Sequence, residues 1–387
     1  MALSEIIRKA RTRGPGWVWR RTREELRTPS SPLGLRIRPL VRGTVDALEG
    51  LQALTARAVL RTGQGAAHTL YLYYDLETCP ITFDFAWVLC AAECRRIELG
   101  LRHIHVVFVP GADWSEGRES AEYACIVDHD AREWRFSNVL IPLCSLLPSV
   151  SGYELASSRR AVSTGKALTG ASSYPQNYSP LAPETISAVR DVFRYASTGV
   201  EVRHLRAGTQ ATRYIRAWIE QCVGQRRLVT MTMRQYGYQS YRNSNVPAWT
   251  EFAQGLDSDR YFPVVIPETD AALSETNTDY GGVPVMAAAA FNVRLRMALY
   301  EQAWVNLSTN SGPFITTFLN AGTRCAMLKI LGAETPEEVG HNMHQIGFEI
   351  DAQLPFSGPA QRLLWRTDDD VAGIRAGFKA VVDALEE

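Results

Sequence analysis

From residue 68 onward the chain alternates short apolar runs with longer stretches whose apolar residues recur at helical spacing. Leu70–Tyr74 reads as a strand and Phe83–Leu99 as a helix, with Asp84 near its start and Arg95 and Arg96 in its last turns; His103–Val109 reads as a second strand. Gly100 stops the helix, and the charges sit where the helix dipole favours them. Two apolar strands joined through a helix predict a parallel pair with a right-handed crossover. Ala121–Asp128 reads as helix, whereas Val139–Leu147 is apolar throughout, so periodicity leaves its type open. Ser149–Pro180, rich in Ser, Gly, Pro and Tyr, reads as a long loop or an inter-domain crossover.

The second half repeats the theme. Helices at Pro183–Tyr195 and around Tyr214–Cys222 precede Leu228–Met233, whose apolar, β-branched run suits a strand buried on both faces of a parallel sheet. A polar, aromatic loop runs from Arg234 to Asn245. Val246–Gln254 forms the next helix, with Pro247 in its first turn, where a missing N–H costs nothing. Tyr261–Ile266, Ala303–Leu307 and Arg324–Leu331 read as further strands, and Val293–Gln302, Phe314–Leu319 and 369–385 as helices; Val283–Phe291 is undecided. The expected class is α/β with two Rossmann-like parallel-sheet domains: a basic arm over 1–62, a first domain over 63–180, a second over 181–365 and a C-terminal helix over 366–387.

Composition narrows the field. A chain of 387 residues, 46% hydrophobic and 21% charged, can bury two cores, and its zero formal net charge gives no signal for nucleic acid. Cys90 and Cys94 share a helix face without a further pair to complete a zinc site, and His341 and His344 lack a carboxylate or thiol at ligand spacing, so no metal is expected. No apolar run is long enough to span a bilayer, and Ile6-Ile7 is too short for a signal peptide; a reducing cytoplasm is the expected setting. The arm is different. Arginines from Arg8 to Arg61 outnumber its acids, with Trp17 and Trp19 among them, and Val45–Leu60 reads as a helix. Such a segment suits peripheral attachment to an anionic membrane surface; the alternative is a solvated arm or a helix packed on the body.

Candidate chemistry gathers at strand ends. If the second sheet is parallel, three loops reach one edge, where ligands of open α/β sheets bind: Arg234 with Arg242, Asn243 and Ser244; Glu268 with Asp270; and Asn310-Ser311-Gly312-Pro313. Guanidinium forks match diphosphate oxygens, and a Gly opening a helix suits close approach of the backbone to an anion. The alternatives are a surface loop with its arginines paired to acids, and an ordinary capped helix.

The order Ala303–Leu307, Ser311-Gly312-Pro313, Phe314–Leu319, Gly322, Arg324–Leu331 resembles the donor-binding domain of glycosyltransferases with the two-Rossmann (GT-B) architecture. Over residues 68–385 the chain also resembles the glycosyltransferase-like proteins of bacterial surface-polysaccharide (capsule and O-antigen) clusters, through Tyr-Asp-Leu at 74–76, Arg-Asn-Ser at 242–244 and Gln-Leu-Pro-Phe at 353–356. It departs from the best-known members in lacking a Gly-Gly pair before Pro313 and the paired glutamates of retaining enzymes. The resemblance implies two domains facing across a cleft and transfer of a sugar from a nucleotide-sugar to a glycan or lipid-linked acceptor. Arg234, Arg242, Asn243, Ser244, Glu268, Asn310, Ser311 and Gly312 would hold the donor, with Arg234 and Arg242 stabilising the departing diphosphate and no metal or other cofactor. Asp75 and Glu77, just past the first strand, are the expected source of a base, with Asp113 in reserve and Arg118 beside it on the acceptor side. Asp75 capping its own loop is the alternative, and Asp368-Asp369-Asp370 reads as an N-cap run. Two further functions fit the same fold: a non-catalytic nucleotide- or glycan-binding scaffold, and a sugar-nucleotide epimerase.

Overall fold

The structure, a computed structural model, describes residues 32, 35, 68–111, 121–169, 171–273, 278–331 and 336–387. The basic arm apart from Pro32 and Leu35, the helix expected at Val45–Leu60, and Asp113 and Arg118 lie outside the described residues. The chain forms two compact units, each drawn from separated segments. Unit 1 takes Met1–Pro80, Glu98–Arg118 and Ser151–Ile186; unit 2 takes Ile81–Ile97, Glu119–Val150 and Ser187–Glu387.

Unit 1 carries β1 (Thr69–Asp75), β2 (His103–Val109), β3 (Val150–Leu155) and β4 (Ser173–Tyr174) in the order β3-β2-β1-β4. β1 runs parallel to β2, from Thr69 opposite His103 to Asp75 opposite Val109, and parallel to β4. The last four residues of β1 and of β2 are all buried. There Tyr73, Val107, Val109, Val162 and Tyr178 form a small core, with the rings of Tyr73 and Tyr178 stacked at 4.7 Å. Ser149–Pro180 is therefore not a loop: it supplies β3, the helix Arg159–Thr169 and β4. β3 lies at the sheet edge with most residues exposed, and the helix is polar on most faces, so neither carried an apolar signature.

Unit 2 is built on β5 (Arg227–Thr232), β6 (Tyr261–Ile266), β7 (Val305–Thr309), β8 (Cys325–Leu328) and β9 (Gln361–Leu363). All pairings are parallel, in the order β6-β5-β7-β8-β9. β7 begins and ends two residues later than its apolar run suggests, because Ser308 and Thr309 continue the ladder fully buried. A polar seam runs down this sheet. Thr230 Oγ1 donates to Asn306 Oδ1 at 2.6 Å, the Thr232 and Tyr300 hydroxyls bond at 2.8 Å, and Ser308 Oγ donates to the Thr232 carbonyl. Each buried polar group thus keeps a partner, which its burial requires.

The helices Val246–Gln254 and Val371–Glu386 pack together on the sheet, burying Trp249, Phe252, Ile374 and Val381 against Val229, Met231, Leu307 and Leu328. Side chains of this size contribute about 1.5–3 kcal/mol each when fully buried. Asp370 caps the last helix as its sequence suggests, accepting from Gly373 N at 2.7 Å. Asp369 instead turns inward to accept from Asn245 N and Trp249 Nε1, both at 2.7 Å, with Lys329 Nζ 3.0 Å away. Of the undecided stretches, Val139–Leu147 falls in a π turn, Phe136–Leu140, and the helix Ile141–Cys144, whereas Val283–Phe291 divides: Val285 bridges Val265 in parallel beside β6, and Ala287–Phe291 is one short helix. Chain order fixes where the site lies. β5 passes to β6 on one side, and the chain then returns to β7 on the other side of β5. The strand order reverses between β5 and β7, and ligands of open α/β sheets bind outside the carboxyl ends at such a point.

Candidate functional site

A cavity of about 840 Å³ opens at that point, and every residue lining it belongs to unit 2. Loops after β5, β6 and β7 contribute Arg234–Tyr238 with Arg242, Glu268–Asp270, and Ser311–Pro313. Arg234, two residues past β5, is 5% exposed. Its Nη1 donates to Gln239 O at 3.0 Å and Asn243 Oδ1 at 2.6 Å, and its Nη2 to Tyr238 O. Arg242 is held similarly: Nε to Asn310 O at 2.9 Å, Nη2 to Asn310 Oδ1 at 3.1 Å and Nη1 to Gln239 Oε1 at 2.7 Å. All six acceptors are neutral. Among the described residues neither guanidinium has a carboxylate within ion-pair distance.

The electrostatic consequence is large. Burial, then repulsion from Arg242, pushes the Arg234 guanidinium down to about 10, only partly offset by Glu268. Burial also lowers Arg242, with Tyr241 and Asp84 opposing. Across the cavity, burial raises the Glu268 carboxyl above its ordinary range, while Arg296, the Thr269 N–H, Arg234 and Arg135 resist. Two fixed cations, one buried and one half-buried, with no carboxylate at ion-pair distance among the described residues are what an anion site requires, since a bound anion offsets the electrostatic cost of holding them there.

The expected donor residues divide into those that line the cavity and those that hold the liners. Arg234, Arg242, Glu268, Ser311 and Gly312 line it. Asn243 and Ser244 do not. Asn243 Oδ1 accepts from Arg234 and from Tyr236 N, and Ser244 Oγ accepts from Arg234 N at 3.0 Å. Asn310 spends both its oxygens on Arg242. The turn after β7 differs from expectation. Gly312–Phe314 is a single 3-10 turn and Ile315–Phe318 one short helical turn, too little helix for a useful dipole. Ser311 Oγ turns inward to Ser308 Oγ at 3.1 Å, and a Cβ on Gly312 would make only ordinary contact with Phe83, at 3.5 Å.

No family model matches the sequence. No curated protein matches it either. Among solved structures the chain is similar to a glycosyl transferase family 9 protein from Veillonella parvula DSM 2008, at 10% identity, covering 84% of this chain and 100% of that one with a TM-score of 0.47. It is also similar to E. coli ADP-heptose LPS heptosyltransferase II, at 11% identity, 82% and 99% coverage and a TM-score of 0.47. A putative UDP-N-acetylglucosamine 2-epimerase from Listeria monocytogenes is similar at 10% identity, 83% and 89% coverage and a TM-score of 0.33. At such scores the fold rests on the strand pairings above, and the chemistry on the cavity.

A second wall of the cavity was not foreseen. Thr82, Phe83 and Asp84 precede the helix Phe85–Glu98, and Tyr123, Ile126, Trp134, Arg135 and Val139 come from the helices Ala121–Ile126 and His129–Arg135 and the turn beyond. Arg135 donates from Nη1 to the Tyr123 hydroxyl at 3.1 Å and from Nη2 to the Tyr236 hydroxyl at 2.9 Å. The available signal was Arg132-Glu133-Trp134-Arg135, an exposed aromatic beside a cation on a short helix.

Asp75 and Glu77 belong to unit 1, are buried to 1% and 3% exposure, and do not line the cavity. Arg159 grips Asp75 with both Nη atoms, at 2.8 and 2.6 Å, Tyr178 OH donates at 2.5 Å and Glu77 N at 3.0 Å. Arg159 Nη1 also lies 3.1 Å from Glu77 Oε2. Four donors occupy the two oxygens of Asp75, which leaves no lone pair for an acceptor hydroxyl. The pair ties the helix Arg159–Thr169 and the Tyr178 turn to the end of β1, close to the loop-capping alternative. Among the described residues no group of three or more His, Cys, Asp and Glu side chains is placed to hold a metal. No helix there is long and apolar enough to cross a membrane.

Proposed function

We propose that the chain is a glycosyltransferase that moves a sugar from a nucleotide-sugar to the hydroxyl of a glycan or lipid-linked acceptor. Surface-polysaccharide synthesis, the setting the sequence resemblance implies, would supply such acceptors. The observation that carries the reading is the pair Arg234, buried, and Arg242, half-buried, at the switch point, held by neutral oxygens and, among the described residues, without a carboxylate at ion-pair distance. In the reaction the acceptor oxygen bonds to the anomeric carbon as the bond from that carbon to the diphosphate breaks. The charge that accumulates on the leaving oxygen is met by the guanidiniums, which need no reorganisation because six acceptors already fix them. Arginine stabilisation of this kind makes the reaction metal-independent. The acceptor proton passes to a cavity carboxylate, and Glu268, whose burial raises its proton affinity, takes that role in place of Asp75.

Calorimetry against nucleoside diphosphates and nucleotide-sugars, followed by an assay of diphosphate release with crude glycan acceptor, tests the reading. Absence of binding by every nucleotide at millimolar concentration would defeat it. A second reading is favoured by one observation: Asp75, the carboxylate expected to serve as base, has both oxygens engaged by Arg159, Tyr178 and Glu77 N. The chain would then be a nucleotide- or glycan-binding scaffold, recognised by binding without turnover.

A further inference from the structure

We propose that Arg135 is a positioning residue of the anion pocket, acting through Tyr236 on the loop that orients Arg234. The proposal rests on reading the pocket as a diphosphate site. Arg234 is aimed by the carbonyls of Tyr238 and Gln239, so its direction is only as fixed as that loop. The loop holds an unfavourable backbone: Gln239 sits at φ 51°, a left-handed conformation that costs a non-glycine residue. Its internal ties are Tyr236 N to Asn243 Oδ1 at 3.0 Å and Asn243 Nδ2 to Tyr236 O at 3.1 Å.

Outside the loop, the Thr278 and Tyr280 hydroxyls donate to Gln235 Oε1 at 3.3 and 3.4 Å and Lys329 Nζ to Asn243 O at 2.7 Å; the support nearest Tyr236 and Tyr238 comes from the helical wall. The ring of Tyr123 meets that of Tyr238 edge-on at 5.1 Å, and Arg135 joins the hydroxyls of Tyr123 and Tyr236 while lying 5.9 and 5.4 Å from their ring centres. Among the described residues Arg135 has no carboxylate within ion-pair distance; its hydrogen bonds go to two phenols. A half-buried cation bonded only to neutral hydroxyls is a poor source of stability compared with an apolar side chain. Here it has a geometric use. It locks Tyr236, two residues from Arg234, to a helix outside the loop, so both arginines sit preset before the ligand arrives.

The test uses the full chain with Arg135→Gln, Tyr236→Phe and the double substitution. Two quantities are measured: affinity for a nucleoside diphosphate and for pyrophosphate by calorimetry, and amide hydrogen exchange across residues 235–243. If Arg135 acts through Tyr236, each single substitution weakens both ligands about ten-fold, the scale of one hydrogen bond to a charged group, and the double substitution weakens them no further. Exchange in the loop accelerates about ten-fold in both single variants, and exchange in β5 does not change. Weakened binding in Arg135→Gln with none in Tyr236→Phe would overturn the proposal in favour of direct contact between Arg135 and ligand. Unchanged loop exchange in both variants would overturn it outright. If the unsubstituted protein binds neither ligand, the diphosphate reading fails by itself, while the exchange result still decides whether Arg135 fixes the loop.

Discussion

Replacing Arg234 with Met tests the central claim, because it removes the charge and the fork while keeping most of the buried stem. A guanidinium pushed down to about 10 from its ordinary value carries roughly 3 kcal/mol of penalty for its charge in the buried loop. Its three hydrogen bonds to neutral oxygens contribute about 1–2 kcal/mol each, roughly 3–6 in all, which offsets most or all of that penalty. Arg234→Met is therefore expected to lower folding stability by no more than about 3 kcal/mol in urea titrations. The effect on ligand is expected to be much larger. Loss of one preorganised donor costs about 2–4 kcal/mol, which is roughly 30- to 1000-fold in affinity for a nucleoside diphosphate by calorimetry or in turnover. The sign with pH follows from the lowered proton affinity. Below about 10 the arginine is charged in the folded and unfolded chain alike and the penalty is full; it is relieved as pH rises through about 10 toward the ordinary arginine value, so the unsubstituted protein gains stability relative to Arg234→Met only in that alkaline window. One result refutes the reasoning: a loss above about 4 kcal/mol of stability with unchanged affinity per folded molecule, which would make Arg234 a structural residue.

Three other substitutions probe the remaining assignments. Asp75→Asn is expected to cost about 3 kcal/mol, since it breaks one side of a buried pair while Glu77 stays 3.1 Å from Arg159, and to leave nucleotide affinity unchanged; full stability with lost turnover would restore Asp75 as the base. Glu268, raised above 4.5 by burial, contributes stability that is complete below that value and is lost as pH rises through its folded value, so the unsubstituted protein should weaken relative to Glu268→Gln over that window, and a flat difference in urea midpoints would show a well-solvated carboxylate. Glu201, lowered to about 2 chiefly by its hydrogen bonds with Arg203, contributes above 4.5 and loses that contribution as pH falls toward about 2; thermal melts of Glu201→Gln should lack this acid slope.

The strands were legible where burial on both faces forces an uninterrupted apolar run. The strands His103–Val109 and Tyr261–Ile266 match their sequence limits residue for residue, as do the helices Val246–Gln254 and Val293–Gln302. Errors came where polar residues do strand work. β7 extends over Ser308 and Thr309 because hydroxyls and Asn306 bond across to β5, and such a seam looks like a loop when only hydropathy is read. The same blindness hid β3 and the helix Arg159–Thr169, whose exposed or polar faces give little alternation to count.

The site shows a sharper version of this divide. Residues named for their place after a strand, Arg234, Arg242 and Glu268, do line the cavity, because the parallel sheet carries every strand end to one edge. Position alone could not separate a liner from its support, since Asn243, Ser244 and Asn310 occupy equivalent places and spend their polar atoms on the arginines instead. Nor could it foresee partners far along the chain. Asp75 has the right position for a base, yet Arg159 and Tyr178, 84 and 103 residues away, consume it. Arg135, about a hundred residues before Tyr236, reaches the cavity by the same kind of distant pairing. A carboxylate with all its lone pairs filled and a guanidinium with no carboxylate at ion-pair distance look alike in sequence. Only the count of partners tells them apart, and that count places the candidate chemistry in unit 2, at Arg234 and Arg242.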